Sequence, residues 1–332
     1  MSDGLMNRRE FIKRSFLSGA TAALVLSGLN GWEDAEAATL QVGSLIDLTR
    51  CDGCEYRKIP ACVEACREAN KRYFPNPRKE DLKPYWPQKN YEDWSTKQNI
   101  TNRLTPYNWT FVQKVEVEHK GNKTVVYIPR RCMHCDNPPC AKLCPFSAQE
   151  KKPEGPVIID PEICFGGAKC REVCPWHIPQ RQAGVGPYLK FAPKFAGGGV
   201  MYKCTLCYDR ILQGKLPACV EACPRQAISF GPKEEMRREA HRRAGAIGGY
   251  IYGEKENGGT STFYVSAVPF EAIHRALVAA GQQPAMPVGV PNFLDTPNGI
   301  GQAVLLAPVA GLLAAGVAVY KGMKYKEMKG GE

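Results

Sequence analysis

The chain has 332 residues, with 44 lysines and arginines against 33 aspartates and glutamates, and it contains 15 cysteines. This length is enough for one or two compact domains, and a composition of 44% hydrophobic and 23% charged residues excludes a disordered chain and a polytopic membrane protein. Most cysteines stand in C-x2-C or C-x3-C pairs, so we interpret them as metal ligands rather than as disulfide partners.

The first 37 residues have the pattern of an export signal. Arg8 and Arg9 precede an apolar stretch at 16–29, and the small-residue pattern Ala35-Glu36-Ala37 follows. We predict a twin-arginine signal peptide over 1–37 that is recognised by the twin-arginine export machinery, although an arginine pair can also open an ordinary helix. Because that route carries folded proteins, a thiol-rich protein can acquire its cofactors in the reducing cytoplasm and then act in the periplasm.

Four groups of cysteines follow along the chain, and together they contain all 15. In three groups a proline comes directly after the last cysteine, which is the bacterial ferredoxin pattern for iron-sulfur clusters, whereas zinc ribbons need no such ending. The groups are Cys51, Cys54, Cys62 and Cys66; Cys132, Cys135, Cys140 and Cys144; Cys164, Cys170 and Cys174; and Cys204, Cys207, Cys219 and Cys223.

The heptapeptide PACVEAC occurs at 60–66 and again at 217–223, so the first and fourth groups are repeats of one another. In a two-cluster ferredoxin unit the last cysteine of each group reaches the other cluster, so we pair the first group with the fourth and the second with the third. The predicted ligands are Cys51, Cys54, Cys62 and Cys223 for site 1; Cys132, Cys135, Cys140 and Cys174 for site 2; Cys164, Cys170 and Cys144 for site 3; and Cys204, Cys207, Cys219 and Cys66 for site 4.

Site 3 lacks one thiolate. The usual spacing would place its middle cysteine at residue 167, where the chain has a glycine. We therefore expect three [4Fe-4S] clusters and one [3Fe-4S] cluster, because no Asp, His or Cys lies in 165–169 to replace the missing ligand. A four-iron cluster with a non-cysteine ligand at site 3 is the alternative.

The segments between the groups predict short strands and helices. They include a strand at 43–48, a hairpin that pairs 111–117 with 124–128, and a strand at 227–230 that leads into a helix at 233–243. We predict an α+β fold with two nested ferredoxin-like dicluster units. The outer unit spans 38–125 plus 200–235, the inner unit spans 126–199, and an extension and tether span 236–298.

The C-terminal region has the composition of a membrane anchor. Residues 303–320 carry no charge, and at about 1.5 Å per residue they would span about 27 Å, close to the thickness of a hydrocarbon core. Four lysines follow within nine positions, which favours a cytoplasmic flank. We predict a transmembrane helix over 299–321 and a cytoplasmic lysine-rich tail over 322–332, with a buried core helix as the alternative. The protein would then be anchored at the periplasmic face of the cytoplasmic membrane.

An insert at 67–110 is rich in proline and aromatic residues. We expect it to cover a cluster from solvent or to form a docking face for a partner protein, since both uses favour aromatic side chains. His134 and His177 lie beside cysteine groups, and we interpret them as hydrogen-bond donors or surface residues rather than as iron ligands. The net charge of +11 does not predict nucleic-acid binding, because bound clusters are themselves negatively charged.

These motifs, together with the segment YGEKENGGT at 252–260, resemble the four-cluster iron-sulfur electron-transfer subunits of exported respiratory oxidoreductases. They are most similar to the iron-sulfur subunit of the hydrogenase-2 type of membrane-bound [NiFe] hydrogenase. Two features depart from that subunit, namely the longer spacing from Cys54 to Cys62 and the glycine at 167. The second departure is similar to the nitrate reductase subunit, in which a three-iron cluster results.

The resemblance implies a non-catalytic protein that relays electrons through four clusters. Its partners would be the periplasmic catalytic and small subunits of a hydrogenase or a related oxidoreductase, and an integral membrane quinone-reactive subunit. The same role in a formate dehydrogenase, a nitrate, polysulfide or dimethyl sulfoxide reductase, or a multihaem cytochrome complex is an alternative. A membrane-held ferredoxin-like electron store is a further one.

Overall fold

The computed structural model describes residues 40–84, 91–191 and 198–305, together with Leu312 and Gly316. The predicted signal peptide at 1–37 and the predicted tail at 322–332 lie outside the described residues. The strands are β1 (Val42–Asp47), β2 (Phe111–His119), β3 (Asn122–Arg130), β4 (Gln149–Lys151), β5 (Val157–Ile159), β6 (Gln180–Gln182), β7 (Val200–Tyr202), β8 (Ile228–Pro232), β9 (Tyr250–Tyr252) and β10 (Thr262–Ser266).

Most helices are a single turn long, because the chain folds around its cysteine loops rather than into layers of long helices. The helices are α1 (Ala61–Asn70), α2 (Pro139–Lys142), α3 (Lys169–Glu172), α4 (Tyr188–Phe191), α5 (Tyr208–Leu212), α6 (Ala218–Glu221), α7 (Lys233–Ile247) and α8 (Phe270–Ala279). Residues 297–305 are also helical.

A four-stranded sheet has the order β8-β1-β10-β9. Strand β1 pairs in parallel with β10, with Leu45 opposite Phe263, and antiparallel with β8, with Leu45 opposite Ser229. The sheet therefore joins the first strand of the described chain to residues that lie more than 180 positions later. Strands from the predicted extension, β9 and β10, complete this sheet.

Helix α7 covers one face of the sheet. Ala240 and Ala244 pack against Leu45, Phe263 and Val265, and all five side chains are buried. Glutamates at 234 and 235 lie in the first turn of α7, where carboxylates favour the positive end of the helix dipole, and Gly248 ends the helix with a left-handed φ of 59°.

In the described ranges, three two-stranded antiparallel sheets complete the architecture: β2-β3, β4-β5 and β6-β7. In β2 the burial alternates along the strand, so that Phe111, Val115 and Val117 face the core. The predicted hairpin is confirmed, and both of its strands extend beyond the predicted ends.

The repeated heptapeptide enters its helix in the same way in both copies. Pro60 precedes α1 with φ −56° and ψ 138°, and Pro217 precedes α6 with φ −54° and ψ 137°. The two helices pack against each other. The repeat thus brings the first and fourth cysteine groups into one unit, as the sequence indicates.

The prediction of a transmembrane helix at 299–321 is wrong. In the part of the chain that the structure describes, no helix is both long enough and apolar enough to cross a membrane. The described start of this segment instead lies on the protein, where Gln302 and Leu305 line a cavity beside Cys144 and Cys164. Most of the remaining segment lies outside the described residues. The membrane helix in the predicted fold class and the predicted anchored location are corrected accordingly.

Candidate metal centre

The thiols predicted for sites 1 and 4 line two separate cavities. Cys51, Cys54, Cys62 and Cys223 share one cavity, although Cys223 is distant in the sequence. A second cavity is lined by Cys66, Cys204, Cys207 and Cys219. Helix α1 supplies Cys62 to the first cavity and Cys66 to the second, because cysteines four positions apart lie one turn apart on a helix. Helix α6 supplies Cys219 to the second cavity, and Cys223, just beyond the end of α6, lines the first.

Sites 2 and 3 are formed in the same crossed manner. Cys135 is near Cys132, Cys140 and Cys174, and electrostatic repulsion from these thiols adds to its burial in raising its pKa. Cys144, Cys164 and Cys170 line a third cavity of about 400 Å³. The structure thus brings together every set of thiols that the sequence predicted, and ligation of iron by these thiols stays a prediction.

Gly167 occupies the place of the missing cysteine. In the other three groups the residue before the second cysteine has a left-handed backbone: Gly53, His134 and Leu206 have φ of 67°, 50° and 57°. Gly166 repeats this conformation with φ 67°. The third group therefore forms the same loop, with a glycine where the others carry a thiol. A Cβ atom added at 167 would meet no atom within 4 Å, so the position has room for a side chain.

Burial opposes free thiolates at these sites. It raises the pKa of Cys140 and Cys204 to about 12 and that of Cys51 and Cys174 to about 11. Because a thiolate is the form that binds iron, the cost of burying its charge must be offset by positive charge. Four clustered thiols around a cavity fit a polynuclear iron-sulfur cluster, whose irons supply that charge. In the described ranges, no three His, Cys, Asp or Glu side chains are arranged to hold a single metal ion.

Three buried basic side chains lie beside site 4, and one of them, Lys203, is also close to site 2. Arg131 is 2% exposed, and its Nη1 lies 3.8 Å from the Cys219 Sγ. Lys203 is 4% exposed, and its Nζ donates to the carbonyl oxygens of Val157 and Cys204. Although burial lowers the pKa of Lys203, the thiolates of Cys132, Cys140 and Cys204 raise it overall, so this side chain stays charged.

His134 is the third of these residues and acts as a neutral hydrogen-bond donor. It is completely buried, and this burial lowers its pKa well below the usual value. Its Nδ1 accepts the backbone N–H of Val157 at 3.0 Å, so the ring proton must be on Nε2. Nε2 lies 3.7 Å from the Cys204 Sγ and therefore donates to it. The expectation of a donor rather than a ligand agrees with this geometry.

Sequence reasoning missed the roles of Arg131 and Lys203. Each directly precedes the first cysteine of a group, at Cys132 and Cys204 respectively. A basic residue at that position is the signal that could have identified them. Asn70 was also missed; its Nδ2 lies 3.6 Å from the Cys66 Sγ.

The insert at 67–110 contributes directly to site 4. Trp109 lines that cavity, is 5% exposed and stacks on Tyr202 with ring centroids 6.5 Å apart. Earlier in the insert, Glu92 accepts hydrogen bonds from Arg171 and Arg181, which lie near site 3. This part of the insert covers a site as a lid would, and its use as a docking face stays a prediction.

Comparison with known proteins adds the family to this geometry. Profiles of 4Fe-4S dicluster domains match residues 50–148 and 123–233. The hydrogenase-2 operon protein HybA of Escherichia coli O157:H7 is 31% identical over 309 residues, which cover 80% of this chain and 82% of that protein. The chain belongs to the iron-sulfur electron-transfer subunits with 4Fe-4S dicluster domains.

Other members of this family differ in the complexes for which they are named. The formate dehydrogenase-O iron-sulfur subunit of Escherichia coli K12 is 32% identical over 269 residues, with 77% of this chain and 74% of that subunit covered. A protein of Nitratidesulfovibrio vulgaris Hildenborough is 34% identical over 280 residues, or 80% of this chain and 66% of that protein. The comparisons therefore establish the iron-sulfur family. They do not assign the chain to a hydrogenase in particular.

Proposed function

We propose that this protein is a non-catalytic subunit that relays single electrons through four iron-sulfur clusters held at sites 1 to 4. A bound iron-sulfur cluster takes up and releases one electron at a time. The chain's own residues hold the clusters in order, keep water away from them and set their potentials.

The observation that carries the proposal is that the sites neighbour one another in series. Sites 1 and 4 meet where Cys62 and Cys219 are within electrostatic range, and sites 4 and 2 meet at Cys204 and Cys132. Sites 2 and 3 meet where Cys170 is near Cys140 and Cys174. The path therefore runs in the order 1, 4, 2, 3, with sites 1 and 3 at its ends.

A relay of this kind needs a partner at each end. We propose that a catalytic subunit of the [NiFe] hydrogenase type meets one end, and that an integral membrane quinone-reactive subunit meets the other. The similarity to HybA over 82% of that protein supports the hydrogenase partner. The similarity to a formate dehydrogenase subunit over 74% of its length favours a formate dehydrogenase as the second candidate.

Anaerobic purification of the tagged, full-length protein from its own cells, followed by mass spectrometry, tests this assignment. We expect a nickel-iron large subunit to be recovered, and we expect hydrogen but not formate to bleach the visible absorption of the clusters. Bleaching by formate together with recovery of a formate dehydrogenase subunit would replace the hydrogenase partner by the second candidate. Recovery of no catalytic subunit would overturn the relay.

A further inference from the structure

The chain contains an internal reference for site 3. After Cys223 and after Cys144 the backbone follows the same course: residue 226 has φ 50° and residue 147 has φ 51°, and each donates its N–H to the carbonyl of its cysteine at 3.1 Å. Five positions after each cysteine a strand begins, β8 at Ile228 and β4 at Gln149. Ile228 and Gln149 are therefore structurally equivalent.

These equivalent residues differ in chemistry. Ile228 is 4% exposed and lines the cavity of site 1, which has four thiols. Gln149 is 5% exposed and lines the cavity of site 3, which has three. A polar side chain thus replaces an apolar one at the site that lacks a thiolate.

The amide oxygen of Gln149 has no hydrogen-bond partner among the described residues. This oxygen, Oε1, is buried. Leaving such an acceptor unsatisfied is costly, so a buried amide oxygen in this cavity calls for a partner. Gly167, where the loop lacks its thiol, lines the same cavity.

We propose that site 3 holds a fourth iron and that the Oε1 of Gln149 is its non-thiolate ligand. The inference rests on the proposed iron-sulfur function and deepens it. The sequence favoured three irons because the segment 165–169 offers no replacement ligand, whereas the fold supplies one from β4. An amide oxygen is a neutral, hard donor, so this iron is bound more weakly than the thiolate-bound irons of the other sites.

Gln302 provides the matched control. Its Oε1 is also buried without a partner among the described residues, and it lines the same cavity. Its Nε2 donates to the Asn298 Oδ1 at 2.8 Å within the same helical segment, 297–305. It has no equivalent in the cysteine repeats, so we assign it no role as a ligand.

The test is an iron count with electron paramagnetic resonance of the oxidised protein, all prepared anaerobically. For the wild type we expect about sixteen irons per chain and no three-iron signal. Gln149→Ile copies the residue at 228, and we expect it to lose one iron per chain and to gain a three-iron signal. Gln302→Leu should leave both readings unchanged.

A second variant separates ligand loss from misfolding. Gly167→Cys introduces the missing thiol at a position with open space and no left-handed φ, so Gln149→Ile with Gly167→Cys should regain the lost iron. A wild type with about fifteen irons and a three-iron signal would overturn the proposal. So would loss of the iron in Gln302→Leu instead of Gln149→Ile. Fewer than about twelve irons in the wild type would contradict the proposed four-cluster function itself.

Discussion

Individual buried residues beside site 4 place positive charge next to its thiols. Burying Arg131 and Lys203 would be costly without nearby negative charge, which thiolates of site 4 supply to both residues and thiolates of site 2 supply to Lys203. In return, positive charge stabilises a reduced cluster more than an oxidised one and raises its potential. We therefore expect these side chains to raise the potentials of the clusters at sites 2 and 4, in the middle of the proposed path.

Replacement of His134 by asparagine should lower the potential of the site 4 cluster. The variant loses the Nε2–H donor to the Cys204 Sγ, and a neutral hydrogen bond of about 1 kcal/mol corresponds to about 40 mV for one electron. Asparagine is chosen because residue 134 has φ 50° and asparagine tolerates this conformation. Potentiometric titration monitored by electron paramagnetic resonance measures the shift.

His177→Asn is the matched control for that change. It also follows a cysteine closely and has φ 49°, but its side chain is exposed. We expect no shift in the potential of site 4 in this variant. An unchanged or raised potential in His134→Asn would show that the histidine does not donate to the cluster.

Replacement of Lys203 by methionine should lower two potentials together. The charge of Lys203 acts on Cys132 and Cys140 of site 2 and on Cys204 of site 4. At an effective dielectric constant of about 20, the loss of one nearby positive charge lowers the potential of a cluster by an amount on the order of 100 mV. The same titration should show no shift for Lys123→Met, since Lys123 is 71% exposed on the β2-β3 hairpin. A shift confined to one cluster would contradict the shared position of Lys203.

At the scale of elements, the last cysteine of each PACVEAC repeat lines the cavity that holds the first cysteine of the other repeat. Cys66 follows Cys62 on α1 yet lines the cavity of site 4, and Cys223 follows Cys219 yet lines that of site 1. The exchange ties two distant parts of the chain together. Each cluster of the outer unit therefore depends on both repeats.

Serine substitutions test this exchange. We expect Cys66→Ser to remove or alter the cluster whose potential responds to His134→Asn, because both residues belong to site 4. Cys223→Ser should affect the site 1 cluster and leave that potential in place. Iron analysis and redox titration of the two variants distinguish the clusters. Loss of the site 1 cluster in Cys66→Ser would mean that each group keeps its own fourth thiol.

The sequence predicted those features that depend on short spacings. The cysteine loops, the repeat at 60–66 and 217–223, and the β2-β3 hairpin are local, so their residues alone define them. The parallel pairing of β1 with β10 is not local, and no spacing in the sequence indicates it. The same limit applies to Gln149, whose role is visible only when the fold places it in a cavity with Gly167.

The C-terminal predictions were less successful for a different reason. The segment interpreted as a tether lies on the body of the protein, where Arg130 donates to the Ala285 carbonyl at 2.9 Å and the Tyr252 hydroxyl donates to that of Pro287 at 2.7 Å. Proline and glycine content predicts an irregular backbone but does not reveal whether that backbone is packed. Apolar length likewise could not distinguish a membrane helix from a segment that begins against site 3.

For the whole molecule, the four sites neighbour one another in the order 1, 4, 2, 3. Sites 1 and 3 lie at the ends of this order, and they differ in character. Site 1 is a small cavity with four thiols, whereas site 3 is a larger cavity with three thiols and two amide side chains. We therefore expect the two partners to meet chemically different ends of the path.

An anaerobic redox titration of the purified full-length protein, followed by electron paramagnetic resonance, tests the relay most directly. The proposed function predicts uptake of four electrons per chain in one-electron steps, with spin coupling between neighbouring reduced clusters because their thiols are close enough to interact electrostatically. Uptake of two electrons or fewer, or bound zinc in place of iron, would contradict it.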